Sequence, residues 1–124
     1  MAIHYEGFYI PGDLPSTLDR DIKEKHITTE YKPEKMHEHL YGLTAMFEVV
    51  GYGNDGKNEG YKVALRKIFA DEVQEAELRE IFEQIPVPHI TLSVAKDAKP
   101  VNTRYLEFSP VESKTIIGIF KGFE

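Results

Sequence analysis

Polar and apolar residues alternate in short runs along most of the chain, which predicts strands, and the spacing turns helical over one long stretch. Tyr5 to Ile10 reads as a first strand, stopped by Pro11-Gly12-Asp13. Leu18 and Ile22 stand at helical spacing and predict a short helix over Ser16 to Glu24, followed by a strand over Lys25 to Tyr31. Pro33 suits a first helical position and Gly42 a helix end, which predicts a second short helix over Glu34 to Tyr41. Thr44 to Tyr52 is a β-rich run, and the turn residues from Gly51 to Gly56 close it as a hairpin onto Tyr61 to Phe69.

The clear helix follows. Asp71 is its N-cap, with Gln74 three residues on, and Leu78, Ile81, Phe82 and Ile85 form its apolar stripe. Pro86 and Pro88 end it and launch a strand over His89 to Ala95. Residues Lys96 to Arg104 are turn-like, and Thr115 to Phe123 reads as a final strand. The order strand, helix, strand, strand occurs twice, over about residues 5–52 and about 61–123, within a single domain spanning 1–124. A two-fold pairing of such halves predicts two motif-bearing strands side by side at the middle of the sheet.

Composition removes several classes of function. The chain of 124 residues has no cysteine, so thiol catalysis, disulfides and iron–sulfur clusters are absent, and a cytoplasmic setting is expected. No stretch approaches the length of a membrane span. The formal charge of −6 argues against long nucleic acid as a partner but leaves room for a small anion beside local cations. Lys23, Lys25 and Lys32 surround the first motif described below, and Lys96, Lys99 and Arg104 follow the second.

The tripeptide His-Ile-Thr occurs twice, at His26-Ile27-Thr28 and His89-Ile90-Thr91. On a strand the histidine and threonine share a face while the isoleucine enters the core. Either copy alone would suit an ordinary strand with a polar face. Together they supply two imidazoles and two hydroxyls, an acid/base pair with hydrogen-bond donors for a phosphate. Carried further, the period of two puts Glu30 and Ser93 on that face as well.

These motifs resemble those of the two-histidine (2H) phosphoesterase superfamily, the LigT-like proteins, whose signature is a pair of His-x-Thr/Ser motifs on central strands of two similar lobes. His26-Ile27-Thr28 and His89-Ile90-Thr91-Leu92 match by residue type; Thr29 stands where an apolar residue is usual. The resemblance implies an α+β, two-lobed, pseudo-symmetric LigT-like fold with antiparallel sheets around a central cleft. It implies a phosphodiesterase that needs neither metal nor cofactor, with His26, Thr28, His89 and Thr91 as catalytic residues. One histidine would be general base and the other general acid, with no assignment of which.

The expected substrate is a 2′,3′-cyclic phosphate or a small cyclic nucleotide. The alternatives are an RNA-end-processing cyclic phosphodiesterase of RNA repair and a non-catalytic module that sequesters a nucleotide. Tyr9, Tyr31, Tyr41 and Tyr105 are candidates to stack on a base, and Ser93 is a further candidate phosphate donor. His37-Glu38-His39 reads as exposed helix surface, because residues two apart on a helix do not face each other. Gly56-Lys57-Asn58 lacks the Ser/Thr and the following helix of a phosphate loop.

Overall fold

The computed structural model describes residues 3–22 and 24–124, so Lys23 lies outside the described residues. It is a mixed α/β structure, mostly antiparallel sheet with few helices. Seven strands are described: β1 (Tyr5–Tyr9), β2 (Arg20–Asp21), β3 (His26–Tyr31), β4 (Thr44–Asn54), β5 (Asn58–Phe69), β6 (His89–Val94) and β7 (Ser109–Phe123). They form one sheet in the order β2-β6-β5-β4-β7-β1-β3, every pairing antiparallel. No described helix is long and apolar enough to cross a membrane.

Helix α1 (Glu72–Glu83) begins where its cap demands: Asp71 Oδ1 accepts from the Gln74 N–H at 2.8 Å, satisfying a donor that the first turn leaves orphaned. Leu78 and Phe82 are buried and Ile81 and Ile85 pack beside them, as the stripe predicts. Phe82 meets Phe8 of β1 and Phe47 of β4, with ring centroids 6.5 and 5.7 Å apart, so the helix covers one face of the sheet. Ile27 and Ile90, the middle residues of the two motifs, enter this core fully buried.

Five expectations are corrected. The described residues of Ser16 to Glu24 form no helix, because their backbone bonds to distant partners: Thr17 N–H to Glu59 Oε1 (2.9 Å), Leu18 N–H to Ser93 Oγ (3.2 Å) and Ile22 N–H to Leu92 O (3.2 Å). The helix expected over Glu34 to Tyr41 contracts to a 3₁₀ turn over Glu38–Leu40, since the His37 N–H donates to Glu6 Oε2 (2.7 Å). The turn-like stretch after β6 contains a 3₁₀ segment over Pro100–Tyr105, and β7 starts six residues early. The motif strands are not central: β3 ends the sheet on one side, and β6 lies near the other end, with only the two-residue β2 outside it.

The sheet therefore has to curl for β3 and β6 to approach, which they do across a cleft without pairing. Each motif strand carries an irregularity beside a glycine of its neighbour. Gly7 pairs Thr28 and Glu6 pairs Glu30, leaving Thr29 as the extra residue; Gly60 pairs Thr91 and Glu59 pairs Ser93, leaving Leu92. A Cβ on Gly7 would overlap Ile27 O, and one on Gly60 would stand 2.8 Å from Ile90 O, so only glycine admits these approaches.

The glutamates before these glycines are both fully buried. Glu6 accepts from Tyr41 Oη (2.6 Å) and Glu59 from Tyr52 Oη (2.5 Å). Burial alone would push the Glu59 carboxyl up. Donation from Ser93 and Tyr52 hydroxyls and the Thr17 N–H outweighs it and holds the group below the ordinary value.

Candidate active site

His26 and His89 are the first residues of their strands, and both line one cleft of about 290 Å³ together with Thr28 and Thr91. The two rings are held identically. His26 Nδ1 lies 2.7 Å from Glu24 O, and His89 Nδ1 lies 2.7 Å from Val87 O, in each case the carbonyl two residues back. A carbonyl can only accept, so Nδ1 carries the proton in both neutral rings. Nε2 is thereby left as the basic nitrogen, the arrangement a proton-transferring histidine needs.

Burial lowers the pKa of both imidazoles. For His26 the bond to Glu24 O opposes this and the neighbouring His89 adds to it; for His89 the bond to Val87 O opposes and Arg104 adds to it. Both rings therefore hold a proton on Nε2 less readily than a free imidazole does. An entering anion would reverse the balance and favour a proton on one of them.

The threonines differ. The Thr28 hydroxyl has no hydrogen-bond partner among the described residues, although its side chain borders the cleft. Thr91 is nearly buried, and its Oγ1 lies 2.9 Å from Thr103 Oγ1 and 3.2 Å from Pro100 O. The rest of the wall is apolar, with Tyr5, Ile22, Tyr31, Pro100 and Val101. Past His89, Thr28 and Tyr31 a second hollow of about 190 Å³ continues between β3 and residues 84–87, with Glu30, Gln84 and Arg104 at its margin.

Of the aromatic candidates, Tyr31 lines the cleft and is 67% exposed. Tyr9 is beside His26 in register but lies under the Lys121 ammonium, 5.7 Å from its ring centroid, and does not border the cleft. Tyr41 is engaged by Glu6 and packs on Phe120. Tyr105 bonds Arg104 at 2.7 Å and borders a separate surface hollow with Asn54 and Glu107.

Ser93 is fully buried and donates to Glu59 Oε1 at 2.7 Å, away from the cleft. The extra residues Thr29 and Leu92 explain this: each shifts the alternation by one, sending Glu30 and Ser93 to the opposite face and bringing Tyr31 round to the face of His26. Tyr5, not among the sequence candidates, stands opposite Tyr31 in the β1–β3 pairing and packs its ring 4.9 Å from His26 and 4.7 Å from Phe123. The dipeptide Glu-Gly, preceding each motif on a neighbouring strand, was a usable signal.

Among the flanking cations, Lys25 is buried against Asp21 (2.7 Å) and Ile22 O, while Arg104 stands beside His89. His37 is not simply exposed helix surface; its Nδ1 pairs with Glu6 Oε1 at 2.8 Å. Ligand atoms of Glu6, Glu30 and His37 lie within 4.8 Å of one another, but both Glu6 oxygens already accept hydrogen bonds from His37 and Tyr41. His39 pairs with Glu77 at 2.9 Å. Comparison of the chain with models of known protein families gave no match, and comparison with curated proteins gave none.

Proposed function

We propose that this protein is a 2H-type phosphodiesterase that hydrolyses a 2′,3′-cyclic phosphate or small cyclic nucleotide in the cytoplasm, with its own side chains as the acid and base. The observation that carries the reading is the matched pair of histidines, each fixed through Nδ1 to the carbonyl two residues back and each bordering the same cleft. One imidazole takes a proton from the attacking water at Nε2. As the new P–O bond forms, the bond to the ribose oxygen breaks, and the other imidazole gives that oxygen a proton.

Burial disfavours the charged form of both rings, and the phosphate's own negative charge offsets this and supports protonation of the acid on binding. Thr28 and Thr91 donate to the non-bridging oxygens. Tyr31, exposed at the cleft wall and backed by Tyr5, offers a ring to a base, which suits an acidic protein. The hollow beyond His89 extends the cleft, favouring a cyclic dinucleotide or a cyclic-phosphate-ended oligoribonucleotide over a lone nucleoside 2′,3′-cyclic phosphate.

A two-lobed, pseudo-two-fold LigT-like arrangement belongs to this reading. Its support is the strand order β6-β5-β4 against β3-β1-β7, with motif strands, glycine contacts and buried Glu–Tyr pairs in corresponding places. The test is turnover of mononucleoside cyclic phosphates, cyclic dinucleotides and cyclic-ended oligoribonucleotides in EDTA. His26→Ala and His89→Ala should each lose about 10²- to 10⁴-fold. Binding without turnover would make the protein a sequestering module, and activity lost in EDTA but restored by a divalent ion would overturn the mechanism.

A further inference from the structure

Behind Thr91 lies a buried polar chain that the proposed chemistry leaves unused. Asn58 is 3% exposed and Thr103 is fully buried. Asn58 Nδ2 reaches Lys99 O at 2.8 Å and Thr103 Oγ1 at 3.1 Å; Thr103 Oγ1 in turn lies 2.9 Å from Thr91 Oγ1. The direction of each bond follows from what each atom can do. Lys99 O only accepts, so the Asn58 amide must present its NH₂ group, and Thr103 Oγ1 accepts the second amide proton. The Thr103 proton then has Thr91 Oγ1 as its partner. The opposite sense would leave a fully buried hydroxyl proton unpaired, an arrangement folded proteins avoid.

Thr91 therefore receives a hydrogen bond from behind and must send its own proton forward. Within the protein that proton meets Pro100 O at 3.2 Å, a long contact. A phosphoryl oxygen would be a stronger acceptor, and rotation about the Cβ–Oγ1 bond alone would redirect the proton. Gly60 makes the seat possible, since any Cβ there would overlap the Thr103 methyl.

We infer that Asn58 and Thr103 are positioning residues that aim the Thr91 hydroxyl proton at a phosphoryl oxygen of the substrate; this rests on the phosphodiesterase reading. Thr28 has no such support, so the two motif threonines are not equivalent.

The experiment is a double-mutant cycle on the full chain with Thr91→Val, Thr103→Val, their combination and Thr103→Ser, measured with a cyclic-phosphate substrate and, independently, as affinity for inorganic phosphate. Thr91→Val should lower kcat/KM about 100-fold and Thr103→Val about tenfold, and each should weaken phosphate binding in the same order, as expected for a lost donor and a misaimed one. Thr103→Ser should restore most of the rate. In the Thr91→Val background Thr103→Val should do nothing further to kcat/KM or phosphate affinity, even though it lowers the melting temperature in both.

An equal loss of kcat/KM in both backgrounds, or a fall in melting temperature with kcat/KM and phosphate affinity unchanged, would overturn the inference. If the wild-type protein turns over nothing yet binds phosphate, the phosphodiesterase reading fails alone and the affinity cycle still decides the relay. Neither turnover nor phosphate binding would remove both.

Discussion

Replacing Gly7 by alanine, a single added methyl group, should injure the site from the neighbouring strand. The new Cβ would overlap Ile27 O and stand 3.0 Å from both Ile27 C and Thr28 Cα, where ordinary contact begins at 3.4 Å. These are backbone atoms of β3 and cannot rotate aside, so the whole strand must retreat. Overpacking of this kind costs about 1–3 kcal/mol, more than the roughly 0.4–1 kcal/mol that Gly→Ala gains by restricting the unfolded chain. The net effect is destabilising; a loss of about 2 kcal/mol would lower the melting temperature by roughly 8 °C in a domain of this size.

His26 and Thr28 ride on that strand, and a shift on the order of 1 Å costs about 100-fold in rate. Thermal or urea unfolding reads the first effect, and kcat on a cyclic phosphate reads the second. A Gly7→Ala variant that melts at or above the wild-type temperature would refute the close approach of β1 to β3 on which the calculation rests.

The pH dependence of stability should carry the signature of the two imidazoles. Both fold with pKa values below the ordinary 6.5, mainly through burial. The unfolded chain then binds protons that the folded chain refuses. Stability is full above pH 6.5 and falls as the pH drops from there through the folded values. His26→Asn, whose amide can still reach Glu24 O, should flatten part of that fall in denaturant titrations at pH 5 and 7; an unchanged slope would contradict the shift. Under the proposed chemistry the acidic limb of kcat/KM for the free enzyme should likewise lie below pH 6.5. Tyr52→Phe removes one donor from the buried Glu59 carboxylate and should destabilise by about 1–3 kcal/mol with the Nδ1 geometry of both histidines unchanged by NMR. Tyr31→Ala should raise KM several-fold and leave kcat nearly intact, since its exposed ring borders the cleft while the carbonyls that hold the motif histidines belong to Glu24 and Val87.

Much of this was legible because local chemistry is decisive where it is strong. Asp71 caps α1, the Leu78/Phe82 stripe is buried, and both motifs begin strands with their isoleucines in the core. Legibility ended where a distant partner outbid the local pattern. The Leu18/Ile22 spacing suggested a helix, but the backbone there is claimed by Glu59, Ser93 and Leu92. Pro33 suggested another, but Glu6 claims the His37 N–H. Most consequential are Thr29 and Leu92, single extra residues that reverse the face on which everything after them lies. That reversal exchanged Glu30 for Tyr31 at the cleft and removed Ser93 from it. A period of two cannot report its own interruption, although the Glu-Gly steps at Glu6-Gly7 and Glu59-Gly60 mark where it occurs.

The position of the motif strands near the two ends of the sheet makes the gap between the histidines a property of the whole sheet. No hydrogen bond joins β3 to β6, so the opening behaves like a pair of callipers whose pivot is the central β4–β7 pair. With strands about 4.8 Å apart, a change of about 5° in coiling at that pivot, acting across about two and a half strand spacings, moves each jaw on the order of 1 Å. Packing at Phe47, Ile116 or Phe120, none of which borders the cleft, thereby sets how widely the jaws stand.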